Sequence, residues 1–307
     1  MKIFAKSLFV LLLSSKIVHA AGATEYFFQP ATGVSAVSLS ALTTVPDPQV
    51  DLILNGTKIS ETKYNLLGYQ FLYQYGWSES WAFKLGAGSL TTTSETTTVA
   101  TNARQSLRSS GMTDYLIGLD GLSVYGYSGL AYGISANLSS EESQRATVNK
   151  EGNQFSGGPS YLVHAGGYVG IPSGYVGLNL SYLARQDRNE TDQGNPETKS
   201  VIKGGNQFLI TGFYEINTAA AEYDLRLQHG SLDKTERTTG SVTSTSSEVS
   251  TYTMIGLGAQ TYLSPSVNLR GEYNYYLMNE VVSPTNSAYR TSPYRVGQFL
   301  VRLRWMF

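Results

Sequence analysis

Apolar and polar residues alternate with a period of two along most of this chain, most sharply at its carboxyl end. In Phe299-Leu300-Val301-Arg302-Leu303-Arg304-Trp305-Met306-Phe307 every odd position is apolar and both arginines take even ones. A period of two is the pleat of a β-strand, so this segment has one wholly apolar face and one that carries charge. The same pattern predicts about twelve strands: Gly33–Thr44, Lys63–Trp77, Trp81–Leu90, Met112–Gly121, Val124–Ser139, Phe155–Gly170, Gly174–Asp187, Lys203–Ile216, Ala220–Gly230, Ser250–Leu263, Ser266–Met278 and Val296–Phe307.

The connections between these strands fall into two classes. Ser78-Glu79-Ser80, Leu122-Ser123, Ile171-Pro172-Ser173, Asn217-Thr218-Ala219 and Ser264-Pro265 read as tight turns. Between them lie long polar linkers, near 46–61, 91–111, 140–154, 188–202, 231–249 and 279–295. The threonine- and serine-rich tracts 91–98 and 238–247 read as mobile, solvated loops. Asn55-Gly56, between Asp51-Leu52-Ile53-Leu54 and Lys58-Ile59, reads instead as a type I′ hairpin. Short turns at one end and long loops at the other is the asymmetry of a transmembrane β-barrel.

Each strand also shows which face meets lipid. In Lys63–Trp77 the odd side carries Leu67, Tyr69, Phe71, Tyr73, Tyr75 and Trp77, opposite Gly68, Gln70, Gln74 and Gly76. Ala220–Gly230 sets Tyr223, Leu225 and Leu227 against Glu222, Asp224, Arg226 and Gln228. Ser266–Met278 sets Val267, Leu269, Tyr273, Tyr275 and Leu277 against Asn268, Arg270, Glu272 and Asn274. A charge on the lipid face near the midplane costs about 2–4 kcal/mol, whereas one on the inner face finds water or a partner.

Composition agrees with this. Hydrophobic residues make up 41% of the chain and charged ones only 15%, below the ~25% of soluble domains. Tyr (22) and Gly (31) are abundant and Cys is absent. Lys2 and Lys6, the apolar run Leu8–Leu13 and Val18-His19-Ala20 have the form of a signal peptide over residues 1–20 with cleavage near Ala20. Its loss removes Lys2, Lys6 and Lys16 and no acid, taking the net charge from -1 to -4, which speaks against a nucleic-acid partner. Residues 21–32 are then expected as a periplasmic segment and 33–307 as the barrel.

The terminal strand closing on Phe307 resembles the C-terminal insertion signal of bacterial outer-membrane β-barrels. The run from Ala259 to Tyr273 likewise resembles the strand, turn and strand of porin-like barrels. The resemblance implies an all-β, single antiparallel barrel in the outer membrane. It also implies assembly by the barrel-assembly machinery through Phe299, Val301, Leu303, Trp305 and Phe307, and contact with outer-membrane lipid and lipopolysaccharide.

Inward charges are the first candidates for function: Lys84, Arg185, Glu215, Glu222, Asp224, Arg226, Arg270, Glu272, Arg302 and Arg304. Flush strand ends would set Glu272 opposite Arg302 and Glu215 beside Glu222, with Glu222, Asp224 and Arg226 across the lumen from Arg270, Glu272, Arg302 and Arg304. That is a constriction with a transverse field, and inward glycines such as Gly133, Gly166, Gly256 and Gly258 would leave the bore open. The expectation is a passive channel for small polar solutes, with no catalytic role, cofactor or metal. The alternative is a closed structural or adhesive barrel whose charges pair with one another. A second alternative is hydrolytic. His229 and Ser231 share the outward face, with Asn206 counted beside them, a layout similar to outer-membrane phospholipase A. His164 is expected as a lone inward histidine.

Overall fold

The alternation predicted from sequence becomes twelve antiparallel barrel strands in a computed structural model that describes residues 25–45, 48–194, 196–218, 220–247, 249–282 and 288–307. The signal segment 1–20 and its cleavage site lie outside the described residues. In chain order the strands are β1 (Ser35–Thr44), β2 (Thr57–Gly76), β3 (Trp81–Thr98), β4 (Tyr115–Tyr125), β5 (Ser128–Leu138), β6 (Ser160–Ile171), β7 (Gly174–Arg185), β8 (Gln207–Asn217), β9 (Glu222–Leu232), β10 (Ser250–Ser264), β11 (Val267–Met278) and β12 (Tyr294–Met306). Each barrel strand pairs with the next along the chain. β12 returns to β1 from Ala36↔Met306 to Thr44↔Gln298, so the sheet closes on itself. Closure satisfies the edge hydrogen bonds that hydrocarbon could not.

The outward face is apolar around the ring. Leu67, Tyr69, Phe71, Leu130, Ile134, Leu178, Leu225, Leu227, Leu257 and Phe299 are all exposed. Tyr75, Trp77, Trp81, Tyr262 and Phe307 sit exposed at strand ends near the turns, where amphipathic rings meet the membrane interface. Phe299 and Val301 of β12 and the following Phe307 are exposed outward, while Arg304 and Met306 are buried on the other side. Val267 of β11, expected on the exposed row, is only 5% exposed, beside the register shift between Tyr262 and Ser264 of β10.

One turn is displaced from expectation. β4 runs on through Leu122 and Ser123 to Tyr125, and the chain reverses at Gly126-Tyr127, with Gly126 at φ 61°. Leu122 is only 2% exposed, in an inner cluster with Ala131, Tyr168 and Phe27, so its burial holds the strand beyond the Leu122-Ser123 pair.

The long linkers are also more ordered than their composition suggests. The tract 91–98 is the upper part of β3, paired from Ser60↔Thr98 to Leu67↔Thr91 with β2 and on its other edge with Arg104–Thr113. Residues 235–239 and 242–247 form a hairpin inside a five-stranded outer sheet with Ser143–Arg145, Arg188–Asp192 and Thr198–Gly204. Threonine explains the difference, because its β-branched side chain favours strands and its hydroxyls pair across them. Thr62 and Thr96 hydroxyls meet at 2.9 Å, as do those of Thr238 and Thr243. The Asn55-Gly56 turn is as expected, with φ of 48° and 81° and the flanking ribbon paired from Gln49↔Lys63 to Leu54↔Thr57.

Sidedness makes a direct prediction. Leu227, 59% exposed in mid-β9, should lose about 2–4 kcal/mol of stability in lipid when changed to Arg. Arg at the inward Gln228 should cost clearly less. Equal losses in denaturant unfolding from liposomes would contradict the assignment of faces.

Candidate functional site in the barrel lumen

Inward charges on β9, β11 and β12 form one continuous ion-paired wall. Arg270 bridges both acids, reaching Asp224 and, at 2.6 Å, Glu272. Arg226 lies 2.9 Å from Asp224 and 2.7 Å from Glu272, and Arg302 is 3.6 Å from Glu272. The meander places β9 and β11 on either side of β10, so Asp224 and Arg226 stand beside Arg270 and Glu272, not across the lumen as expected. β10 leaves room for their contact. A Cβ on Gly258 would sit 2.0 Å from an Asp224 oxygen and 2.5 Å from Arg270. This glycine makes space for its neighbours' side chains and does not open the bore.

Two expected pairings are shifted by register. Arg302 stands opposite Arg270, and Glu272 opposite Leu300, because β12 overruns the start of β11 so that Phe307 can hydrogen-bond Ser35 of β1. Likewise Glu215 registers with Asp224, while Glu222 registers with Asn217. The Glu222 carboxylate instead accepts hydrogen bonds from Gln260 (3.0 Å) and Tyr262 (2.9 Å). Arg270 and Arg304 are only 4% and 2% exposed. Arg270 and the acids it holds, Asp224 and Glu272, are walled in and line none of the cavities described below, so these three set no transverse field across open water.

The partner that sequence reasoning missed is the amino-terminal segment. Residues 25–32, expected in the periplasm, enter the lumen from the turn end. Glu25 receives Arg304 Nη1 and Nη2, both at 2.7 Å, and Arg302 Nη2 at 2.6 Å. Glu215 accepts the backbone N–H groups of Tyr26 (2.7 Å) and Glu25 (3.1 Å). Tyr26 stacks on Phe213 with ring centroids 4.5 Å apart, Phe27 meets both rings edge-on, and Arg304 lies 3.6 Å above Phe28. A Cβ on Gly166 would come 2.4 Å from Leu178 O of β7 and 2.8 Å from Phe27, so that inward glycine makes room for the neighbouring strand and for the plug. Gly33 (φ 78°) then turns the chain into β1, with Val34 N–H donating to Ala31 O at 3.0 Å. The signal available in the sequence was Tyr26-Phe27-Phe28, three aromatics where a solvated leader would have polar residues.

Glu25 is tuned by its surroundings. Burial alone would raise its pKa, but the Arg304 and Arg302 guanidinium groups outweigh burial and hold the carboxyl below its usual range.

Open volume lies on the opposite wall. An inner cavity of about 330 Å³ is bounded by Glu25–Gln29 at the turn end and lined by Gln70, Gln74, Lys84, Asp120, His164 and Asn179. It shares Gln70 and Leu116 with a middle cavity of about 380 Å³ lined also by Gly86, Gly88, Asn137 and Gln154. Gln154 donates to Thr92 (3.0 Å), which lines an outer cavity of about 680 Å³ beneath the loop sheet, beside Ser143, Gln144, Glu190 and Arg237. His164, expected to face inward with no second His or Cys near it, has its Nε2 3.1 Å from Asp120, which Lys84 also contacts at 2.7 Å. Among the described residues no group of three or more His, Asp or Glu is placed to hold a metal ion.

The hydrolytic trio is not assembled. His229 and Ser231 do share the outward face, but register puts Ile210 and Phe208 beside them. Asn206 accepts the backbone N–H of Arg185, on the opposite neighbouring strand, at 2.9 Å. His229 is 3.5 Å from the Thr253 hydroxyl.

The ion-paired wall predicts an asymmetry between inner and surface charges. Arg270→Met strips two buried acids of a shared counter-ion and should cost about 3 kcal/mol in unfolding experiments. Lys234→Met removes the exposed 3.1 Å contact with Glu236 and should change stability by less than about 1 kcal/mol. Equal effects would contradict the wall's role.

No known family profile matches the chain, and no curated protein matches it. Solved structures do. The COG4313 outer membrane channel from Pseudomonas putida F1 superposes with a TM-score of 0.60 at 12% identity, over 93% of this chain and 99% of that one. A TodX monoaromatic hydrocarbon channel deltaS2 mutant (TM-score 0.48, 10% identity, 93% of each chain) is a looser match. So is the transport unit of the autotransporter AIDA-I from Escherichia coli (TM-score 0.47, 10% identity, 93% and 95% coverage). At such identities the likeness is one of fold, and together with the closed ring and its apolar exterior it makes this chain a twelve-stranded β-barrel of the bacterial outer-membrane type.

Proposed function

We propose that this barrel is an outer-membrane channel for small hydrophilic solutes, shut at its turn end by its own residues 25–32. The supporting observation is a set of three cavities, about 680, 380 and 330 Å³, of which the middle and inner share Gln70 and Leu116 and the inner ends against Glu25–Gln29. Solute passes down the β2–β6 side, where Gln70, Gln74 and Asn137 offer neutral hydrogen-bonding groups. Of the expected constriction residues, Lys84, Arg302 and Arg304 border the inner cavity. Asp224, Arg226, Arg270 and Glu272 act as a support, fixing the Arg302 and Arg304 geometry that holds Glu25.

The exterior belongs to lipid and lipopolysaccharide, and the outward row Phe299, Val301, Leu303, Trp305 and Phe307 is the surface we assign to the assembly machinery. The seal itself favours a second reading, a barrel that stays closed and serves the envelope structurally.

Planar-bilayer recording separates the two. Glu25→Ala should raise open probability several-fold over the parent chain, because Arg302 and Arg304 lose their shared acid. If both proteins are silent, the structural reading replaces the channel. If both conduct alike, the seal is wrong.

The pH dependence follows from Glu25. A depressed carboxyl pKa contributes stability that is complete above the unfolded value and is lost as pH falls through the folded one. Conductance should therefore stay low from neutral to alkaline pH and rise only under acid conditions, below the ordinary carboxylate range. A rise on alkalinisation would contradict this.

A further inference from the structure

Two arginines at the loop end of the barrel stand outside the ion-paired wall. Arg226, Arg270, Arg302 and Arg304 each contact a carboxylate within 4 Å, and Arg237 contacts Glu190. Among the described residues, Arg185 and Arg188 have no such partner, and the nearby acids are engaged elsewhere: Glu190 by Arg237 and Asp187 by Lys203 at 3.5 Å.

The two guanidinium groups nonetheless converge. Arg188 Nη2 and Arg185 Nη1 lie 3.4 and 3.5 Å from one point, the position a Cβ would take on Gly205. Gly204 and Gly205 both adopt left-handed conformations (φ 77° and 76°), which fold the chain beneath the pair. Gly204 O anchors Arg188 Nη2 at 3.1 Å, while Arg188 Nε is buried and without a hydrogen-bond partner among the described residues. Burial and then the adjacent Arg185 charge push the Arg188 pKa down, and the more distant Glu190, already paired with Arg237, offsets them only in part.

Both arginines lie one residue away from the cavity linings, at the loop end of the barrel. Arg185 ends β7 on the inward face, opposite Ser160, whose hydroxyl accepts from Asn137 (3.2 Å) of the middle cavity. Arg188 opens the outer-sheet strand whose Glu190 lines the outer cavity. Paired guanidinium forks are suited to the oxygens of a carboxylate or phosphate.

We propose that Arg185 and Arg188 form a binding site for a small oxyanion beside Gly205 at the loop end of the barrel, so that the channel favours solutes bearing a carboxylate or phosphate group. This rests on the channel reading for its role in transport, but not for binding itself. Two readouts keep them apart.

Calorimetry on the folded protein in detergent, with succinate and with inorganic phosphate as probes, tests the site. One or both should bind, and which one tells carboxylate from phosphate. The Arg185→Gln/Arg188→Gln chain, checked for folding by its heat-modifiable gel mobility, should bind about tenfold more weakly or worse, the loss of one or more charge-assisted hydrogen bonds. Absence of binding to the parent chain, or equal binding to the double variant, overturns the proposal.

Reversal potentials across a KCl gradient in the Glu25→Ala background test the role. Selectivity should move from anion toward cation in the double variant. Binding that is lost in the double variant from a protein that never conducts leaves the site standing and removes the channel. Conduction with unchanged selectivity and unchanged binding removes the site and leaves the channel.

Discussion

Everything in this molecule follows from the need to satisfy every backbone hydrogen bond across a hydrocarbon layer. The meander from β1 to β12 meets that need along its length, and the β12–β1 ladder meets it at the seam. Closure then imposes the rest: successive side chains point alternately to lipid and to an enclosed interior, and whatever faces inward must find water, a partner or a ring to pack against. Twelve strands enclose more space than eight, whose interior side chains fill, and less than the sixteen of an aqueous porin. This chain divides that intermediate space between an ion-paired wall, an inserted segment and a set of polar cavities.

The ion-paired wall is specific more than it is stabilising. Asp224, Glu272, Arg226 and Arg270 gain from one another what they lose on leaving water, a near balance that apolar residues could match. What apolar residues could not supply is the directed positive end of the network, Arg302 and Arg304, that receives Glu25. The amino-terminal segment adds apolar burial to that charge contact, through Tyr26 and Phe27 against Phe213 and Tyr168. The plug is thus held by an aromatic contact indifferent to pH and an ionic one that is not.

Much of the barrel was legible in the sequence because a period of two is local. The outward rows of β2, β9 and β12, most of the row of β11, four of the five tight turns and the Asn55-Gly56 ribbon come from residues within a few positions of each other. Register did not, because it depends on how far β12 must run to reach Ser35, and that moved Arg302 from Glu272 to Arg270. The threonine tracts misled because composition recorded their polarity and not their branching at Cβ. The inserted segment was hidden for a third reason: Glu25 and its arginines are 277 and 279 residues apart, and no periodic pattern links a short aromatic run to the wall it will meet. The asymmetry between Arg185 with Arg188 and the other arginines was equally out of reach, since it consists in which acids are already taken.

The occupied interior is tested most directly by thiol accessibility, since the chain has no cysteine of its own. A single cysteine at position 27 should resist a bulky, membrane-impermeant maleimide in the folded barrel and react fully after denaturation, whereas one at Tyr127, 85% exposed in a turn, should react at once in both states. Equal, rapid labelling at both positions in the folded protein would mean that residues 25–32 do not occupy the lumen, and the account of a self-sealed barrel would fail.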